Sequence, residues 1–139
     1  MIVLDTNVLS ALMQERADPR VVSWLDDQPS ESIWITSITV FEVRLGIDML
    51  VPGRRRRGLE ETFATALRED LGGRVLPFDE TAARTAGTIA ARERQAGRAI
   101  EIRDVQIAGI TAARKATLAT RNTRHFKRAG IALVDPWAG

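Results

Sequence analysis

Cysteine is absent from the 139 residues. Disulfides, thiolate zinc sites and thiol nucleophiles are therefore excluded, and a reducing cytoplasm is the expected compartment. Histidine occurs once, as His125, so a metal site of several imidazoles is impossible. A Ser-His-Asp triad would depend on that one ring, and no serine stands in a nucleophile-elbow pattern. There is no tyrosine, and aromatics make up 5% of the chain, which gives little support to single-strand recognition by base stacking. Glycine-rich phosphate loops of the two common kinds are missing. No apolar run approaches the ~20 residues of a membrane span, and the first residues show no basic-then-apolar leader pattern. Lysine is scarce as well: arginine outnumbers it 18 to 2. The arginine bias suits bidentate phosphate binding, but a GC-rich genome produces the same bias. The net charge is only +2.

What is present is a globular composition, 45% apolar, at a length that predicts one domain over residues 1–139 with a real core. Five short apolar or β-branched runs predict strands at Ile2 to Asp5, Ser32 to Thr36, Arg74 to Pro77, Thr117 to Thr120 and Ile131 to Val134. Helical spacing lies between them. Helices are expected from near Asn7, after Pro19, over Ile38 to Leu50, over Gly58 to Leu71, from an Asp79 N-cap to Gly97, and over Arg103 to Lys115. Arg54 to Arg57, after Pro52-Gly53, are placed in a loop, where they would either grip phosphate or face solvent. Alternating strands and helices predict an α/β domain with a mostly parallel sheet. Trp24, Trp34, Trp137 and Phe126 are expected to pack. The small residues Ala82, Ala83, Ala86, Gly87, Ala90 and Ala91 permit close helix approach, either internal or between subunits.

Three carboxylates stand against apolar runs: Asp5 closes Ile2-Val3-Leu4, Glu42 lies within Ile38 to Val43, and Asp104 opens Val105 to Ile110. Each has a structural explanation. Asp5-Thr6-Asn7 fits a helix N-cap. Thr39-Val40-Phe41-Glu42 fits a capping box. Asp104 fits the positive end of a helix. Sites in open parallel sheets form beyond the carboxyl ends of the strands, and the spacing of the elements is consistent with one pocket shared by all three acids. An acidic pocket repels itself and is best stabilised by a divalent cation, which suggests phosphodiester chemistry. Arg121, Arg124, His125, Lys127 and Arg128 follow the fourth strand as a basic cluster suited to phosphate. Asp5-Thr6-Asn7 lacks the second acid of aspartyl-nucleophile phosphatases, and Lys115 and Lys127 are poorly placed for a receiver domain.

These landmarks, together with Leu76-Pro77-Phe78-Asp79, Ala119-Thr120-Arg121-Asn122 and Pro136-Trp137, resemble the PIN-domain family, more narrowly the VapC and FitB toxins of bacterial type II toxin–antitoxin pairs. The resemblance covers essentially the whole chain. It implies a three-layer α/β/α sandwich around a mostly parallel five-stranded sheet. It also implies a Mg²⁺- or Mn²⁺-dependent endoribonuclease, a homodimer, a cognate small antitoxin and no membrane partner. On matching positions Asp5, Glu42 and Asp104 become the catalytic, metal-holding acids, directly or through water. Thr120, Asn122 and Asn7 become supporting residues, and Arg103, Arg121 and Arg124 become candidates for substrate phosphate. Two positions depart from the pattern. Asn122 replaces a common fourth acid, which puts a second metal in doubt, and Arg103 replaces a small residue before the third acid. They favour an alternative, a non-catalytic PIN-like module that binds an antitoxin and nucleic acid. A DNA-directed or flap-type nuclease is disfavoured, because the chain is short and lacks the extra acids and accessory elements such enzymes need.

Overall fold

A computed structural model describes residues 1–138. Five strands, β1 (Ile2–Leu4), β2 (Ile33–Thr36), β3 (Val75–Leu76), β4 (Thr117–Ala119) and β5 (Ala132–Val134), form a sheet in the order β3-β2-β1-β4-β5. Every pairing is parallel: Val3 lies opposite Trp34 and Leu118, Thr36 opposite Leu76, and Leu118 opposite Leu133. The strands are one to two residues shorter than their apolar runs. Their last predicted residues, Asp5 and Thr120, leave the ladder and turn toward the site, yet each still donates a backbone N–H to the neighbouring strand, Asp5 to the Ala119 carbonyl and Thr120 to that of Val134.

Seven helices among the described residues cover the two faces: α1 (Thr6–Leu12), α2 (Pro19–Asp26), α3 (Ser37–Asp48), α4 (Arg54–Thr65), α5 (Glu80–Gln95), α6 (Ile102–Ala113) and α7 (Thr123–Phe126). Successive strand residues point to opposite faces, so Leu4 packs with Val8, Val21, Val43 and Phe63 beneath α1 to α4, while Val3 packs with Ile89, Ile107, Ile110 and Phe126 beneath α5 to α7. This is the expected three-layer arrangement. Phe126 is fully buried and Trp137 closes the first core, while Trp24 and Trp34 are half-buried against the two cores. No helix among the described residues is long and apolar enough to cross a membrane.

Several local expectations change. Arg54 to Arg57 form the first turn of α4 rather than a loop. Gly53 is its N-cap, arginine is a good helix former, and Arg56 binds Asp48 and Glu60. Beyond Thr65 the helix widens into a π turn over Ala66–Asp70 before Gly72 and Gly73, both at positive φ, end it. The N-cap of α3 is Thr36, whose side chain accepts from the Thr39 N–H, so the expected Thr39–Glu42 capping box does not form. The short α7 has no clear periodic signature. Asp79 caps α5 as expected. The small residues of α5 serve an internal contact: a Cβ on Gly109 of α6 would meet the Ala82 carbonyl oxygen and the Ala86 Cβ at 2.6 Å.

Candidate active site at the sheet switch

The chain runs outward from β1 to β2 and β3 on one side and to β4 and β5 on the other. The crevice beyond the carboxyl ends of β1 and β4 is therefore the topological switch point at which such sheets bind ligands. Asp5 and Thr120 are the residues immediately past those two ends. Asp5 is 4% exposed and Thr120 is fully buried.

Asp5 both caps α1 and lines the crevice. Its Oδ1 accepts from the Thr6 N–H at 2.8 Å, and its Oδ2 accepts from the Thr120 hydroxyl at 2.7 Å and the Asn7 amide at 3.2 Å. Asn7 in turn accepts from the Arg121 N–H at 3.2 Å. Asn7 and Thr120 thus both hold the Asp5 carboxylate. Glu42, half-buried one turn into α3, accepts from the Thr6 hydroxyl at 2.7 Å. That hydroxyl lies 2.9 Å from the Thr39 hydroxyl, which lies 3.4 Å from that of Thr36. Asp104, in the first turn of α6, faces the His125 ring, with Nδ1 3.3 Å from Oδ2. Glu101 caps α6 by accepting from the Arg103 N–H.

Burial is the main force that pushes the Asp5 carboxyl above its ordinary range; its hydrogen bonds oppose this, and the charges of Asp104 and Glu42 add to it. The Asp104 carboxyl is raised as well, first by burial, with His125 and Arg103 opposing and Glu101 adding. The charges of Asp104 and Glu42 thus both reach Asp5, and the three carboxylates make up the acidic set beside the crevice. Its donors are all oxygen, which suits a hard divalent cation. No three acidic or histidine side chains among the described residues form a ready-made cage, so an ion held there would keep much of its water. The residues fit Mg²⁺ on those terms, because Mg²⁺ dehydrates reluctantly and uses few carboxylates.

The arginine candidates separate. Arg103 reaches Glu42 at 3.8 Å and Glu101 at 3.5 Å, not a direct contact with Asp104. Arg124 lines a cavity of about 540 Å³ with Asp104 and His125. Arg121 turns away and stacks over Trp137, 4.9 Å from the ring centroid. The Asn122 backbone N–H donates to the Thr120 hydroxyl at 3.0 Å, and its side chain makes no hydrogen bond among the described residues. Sequence reasoning missed the Thr6 contact with Glu42, and it placed His125 in the basic run after β4 without pairing it with Asp104.

Known proteins resemble this chain in sequence and in fold. The chain is 37% identical over 137 residues to the VapC ribonuclease Y4jK of Sinorhizobium fredii, covering 99% of this chain and 98% of the relative. It is 36% identical over 137 residues to Toxin FitB of Neisseria gonorrhoeae, covering 99% of each. The crystal structure of FitAcB from Neisseria gonorrhoeae superposes with a TM-score of 0.89 at 36% identity, again over 99% of each chain. The PIN domain profile matches residues 2–132, a span that contains the whole switch point and its three acids. On that match and these full-length identities, the chain belongs to the PIN-domain family, beside VapC and FitB.

Proposed function

We propose that this protein is a metal-dependent endoribonuclease that acts as the toxin of a toxin–antitoxin pair. The observation that carries the reading is the convergence of Asp5, Glu42 and Asp104 at the sheet switch, with the Asp5 carboxyl raised by burial and by the charge of the other two. The printed names of the relatives, a ribonuclease and a toxin, support it.

Asp5 and Asp104 hold the ion, and Glu42 completes the acidic shell. Bound Mg²⁺, or Mn²⁺ in its place, supplies positive charge for a nonbridging phosphate oxygen and makes water a stronger acid. Thr120, Thr6 and Asn7 fix the Asp5 carboxylate before substrate arrives, so little reorganisation is needed during reaction. Thr6 fixes Glu42 in the same way. Arg124 and Arg103 lie where they offset phosphate charge, and Arg103 leaves Glu42 and Glu101 to do so. Asn122, an amide, adds no charge, which favours a single ion.

A cognate antitoxin belongs to the same reading. An apolar cavity of about 770 Å³, floored by Leu9, Leu12 and Leu25 and rimmed by Glu61, Glu69 and Asp70, lies on the α1–α2–α4 side. Its apolar floor and acidic rim suit an amphipathic segment with basic flanks. Self-association completes the assembly: Phe41 and Leu45 of α3 and its C-cap Met49 form an exposed line, at 57%, 43% and 77% exposure.

The test is incubation of antitoxin-free protein with a mixed cellular RNA pool, with Mg²⁺, with Mn²⁺ and with chelator, beside Asp5→Ala. Discrete fragments that require both metal and Asp5 are expected. Cleavage that survives chelation, or wild-type turnover by Asp5→Ala, would sink the assignment. The competing reading, a non-catalytic module, is favoured by the Arg103–Glu42 contact and by Asn122; it predicts antitoxin binding without cleavage under any of these conditions.

A further inference from the structure

The three acids are not held alike. The Asp5 carboxylate has three hydrogen-bond donors, and Glu42 has the Thr6 hydroxyl beside a guanidinium. Among the described residues the one hydrogen-bond partner of the Asp104 carboxylate is the His125 ring. Arg103 does not substitute for it, because its guanidinium is engaged with Glu42 and Glu101.

The ring is placed by the fold rather than by its own burial. It is 59% exposed, yet the adjacent Phe126 is fully buried and anchors the segment in the core. The His125 N–H donates to the Asn122 carbonyl at 3.0 Å. The Asn122 N–H donates to the Thr120 hydroxyl, which itself donates to Asp5. The segment that carries His125 therefore hangs from the same hydroxyl that holds the first acid. It reaches across to the third acid, on α6, which packs beside it on the same face of the sheet.

We infer that His125 is a positioning residue for Asp104, resting on the metal-site reading above: its Nδ1–H holds Oδ2 and fixes the carboxylate, which leaves Oδ1 free to meet an ion. A carboxylate beside an imidazole fixes the tautomer that donates to it. Hydrogen bonds of this kind orient the groups that bind a metal, and their loss typically weakens metal binding or activity by ten- to a hundred-fold. Because Asp104 has no second donor among the described residues, removal of the ring frees its carboxylate to rotate. Asp5, with three donors, has no such dependence on any one partner.

The test measures Mn²⁺ binding directly, by the loss of the free-ion electron paramagnetic resonance signal, for wild type, His125→Ala, His125→Asn and His125→Gln. Melting temperature is recorded in chelator for each. The expected result is Mn²⁺ affinity reduced roughly ten-fold or more in His125→Ala, with melting in chelator little changed. His125→Asn, whose amide nitrogen falls near the Nδ1 position, should recover most of the affinity. His125→Gln, whose amide reaches the Nε2 position, should not. Unchanged or tighter binding by His125→Ala would overturn the assignment while leaving the metal site intact. So would rescue by Gln and not by Asn, which would give the role to Nε2. A wild-type protein that binds no Mn²⁺ would overturn the metal site and this inference together.

Discussion

Asp5 is a carboxylate placed where charge is costly. Its folded-state value lies above the ordinary 3.8, chiefly through burial. The fold therefore holds this proton more tightly than the unfolded chain does. Its contribution to stability is complete below 3.8 and is lost as pH rises through the raised folded value. Asparagine at this position cannot titrate. In chelator, the stability of Asp5→Asn relative to wild type should climb as pH rises from 3.8 through that window, then level off. Urea unfolding at a series of pH values measures it. A relative stability that falls over the same range would contradict the burial account. The three acids were legible in the sequence because each sits at a strand end or in the early turns of a helix, positions that local pattern can locate. Thr6 and His125 were not. Thr6 meets Glu42 across 36 positions and His125 meets Asp104 across 21, and nothing in a local window says which distant side chain a hydroxyl or an imidazole will face. Arg121 errs in the other direction: its chain position is beside the site, but the Trp137 ring takes its side chain.

At the level of elements, α6 owes its place to a missing side chain. Gly109 lets its backbone approach Ala82 and Ala86 of α5 more closely than a Cβ allows. Gly109→Ala should force the helices apart at a cost of about 1–3 kcal/mol, the usual range for overpacking. Because α6 carries Asp104, the same variant should also bind Mn²⁺ more weakly. Urea unfolding together with an ion titration checks both, and full stability with unchanged binding would show that the contact has slack. Element order was well expressed in the sequence, since apolar spacing and the punctuation by Pro19, Asp79 and Gly72-Gly73 are local signals. The cap of α3 was harder. Thr36 and Thr39 are both capping residues, and the choice between them follows from where β2 stops pairing: Thr36 still lies opposite Leu76, so the helix starts one residue later. The Arg54 to Arg57 run misled because a block of like charge resembles a loop, while its partners Asp48 and Glu60 lie outside it.

On the scale of the whole molecule, α3 has three working sides. Val43 and Ile47 face the core, Glu42 faces the crevice, and Phe41, Leu45 and Met49 face outward. Two copies joined along that outer line would bring their acidic crevices onto neighbouring parts of one particle. Sedimentation of wild type should report a dimer, and Leu45→Glu combined with Met49→Glu should give a monomer with unchanged circular dichroism. A wild-type monomer at high concentration would remove this line from the assembly. The parallel α/β architecture followed from the alternation of elements, but the strand order and its switch at β1 were not read from it. The surface that joins copies did not, because exposure is a property of the folded helix and not of its apolar content.

The row of hydroxyls behind Glu42 has a handedness of its own. Thr6 gives its proton to the carboxylate, so it must receive one from Thr39, and Thr39 must receive one from Thr36. All three O–H vectors then point the same way, from the dry interior outward, and their dipoles add at the carboxylate. Each bond in such a row polarises the next. Glu42 is thus the terminus of a short, one-directional proton queue that begins at a strand end with no access to solvent.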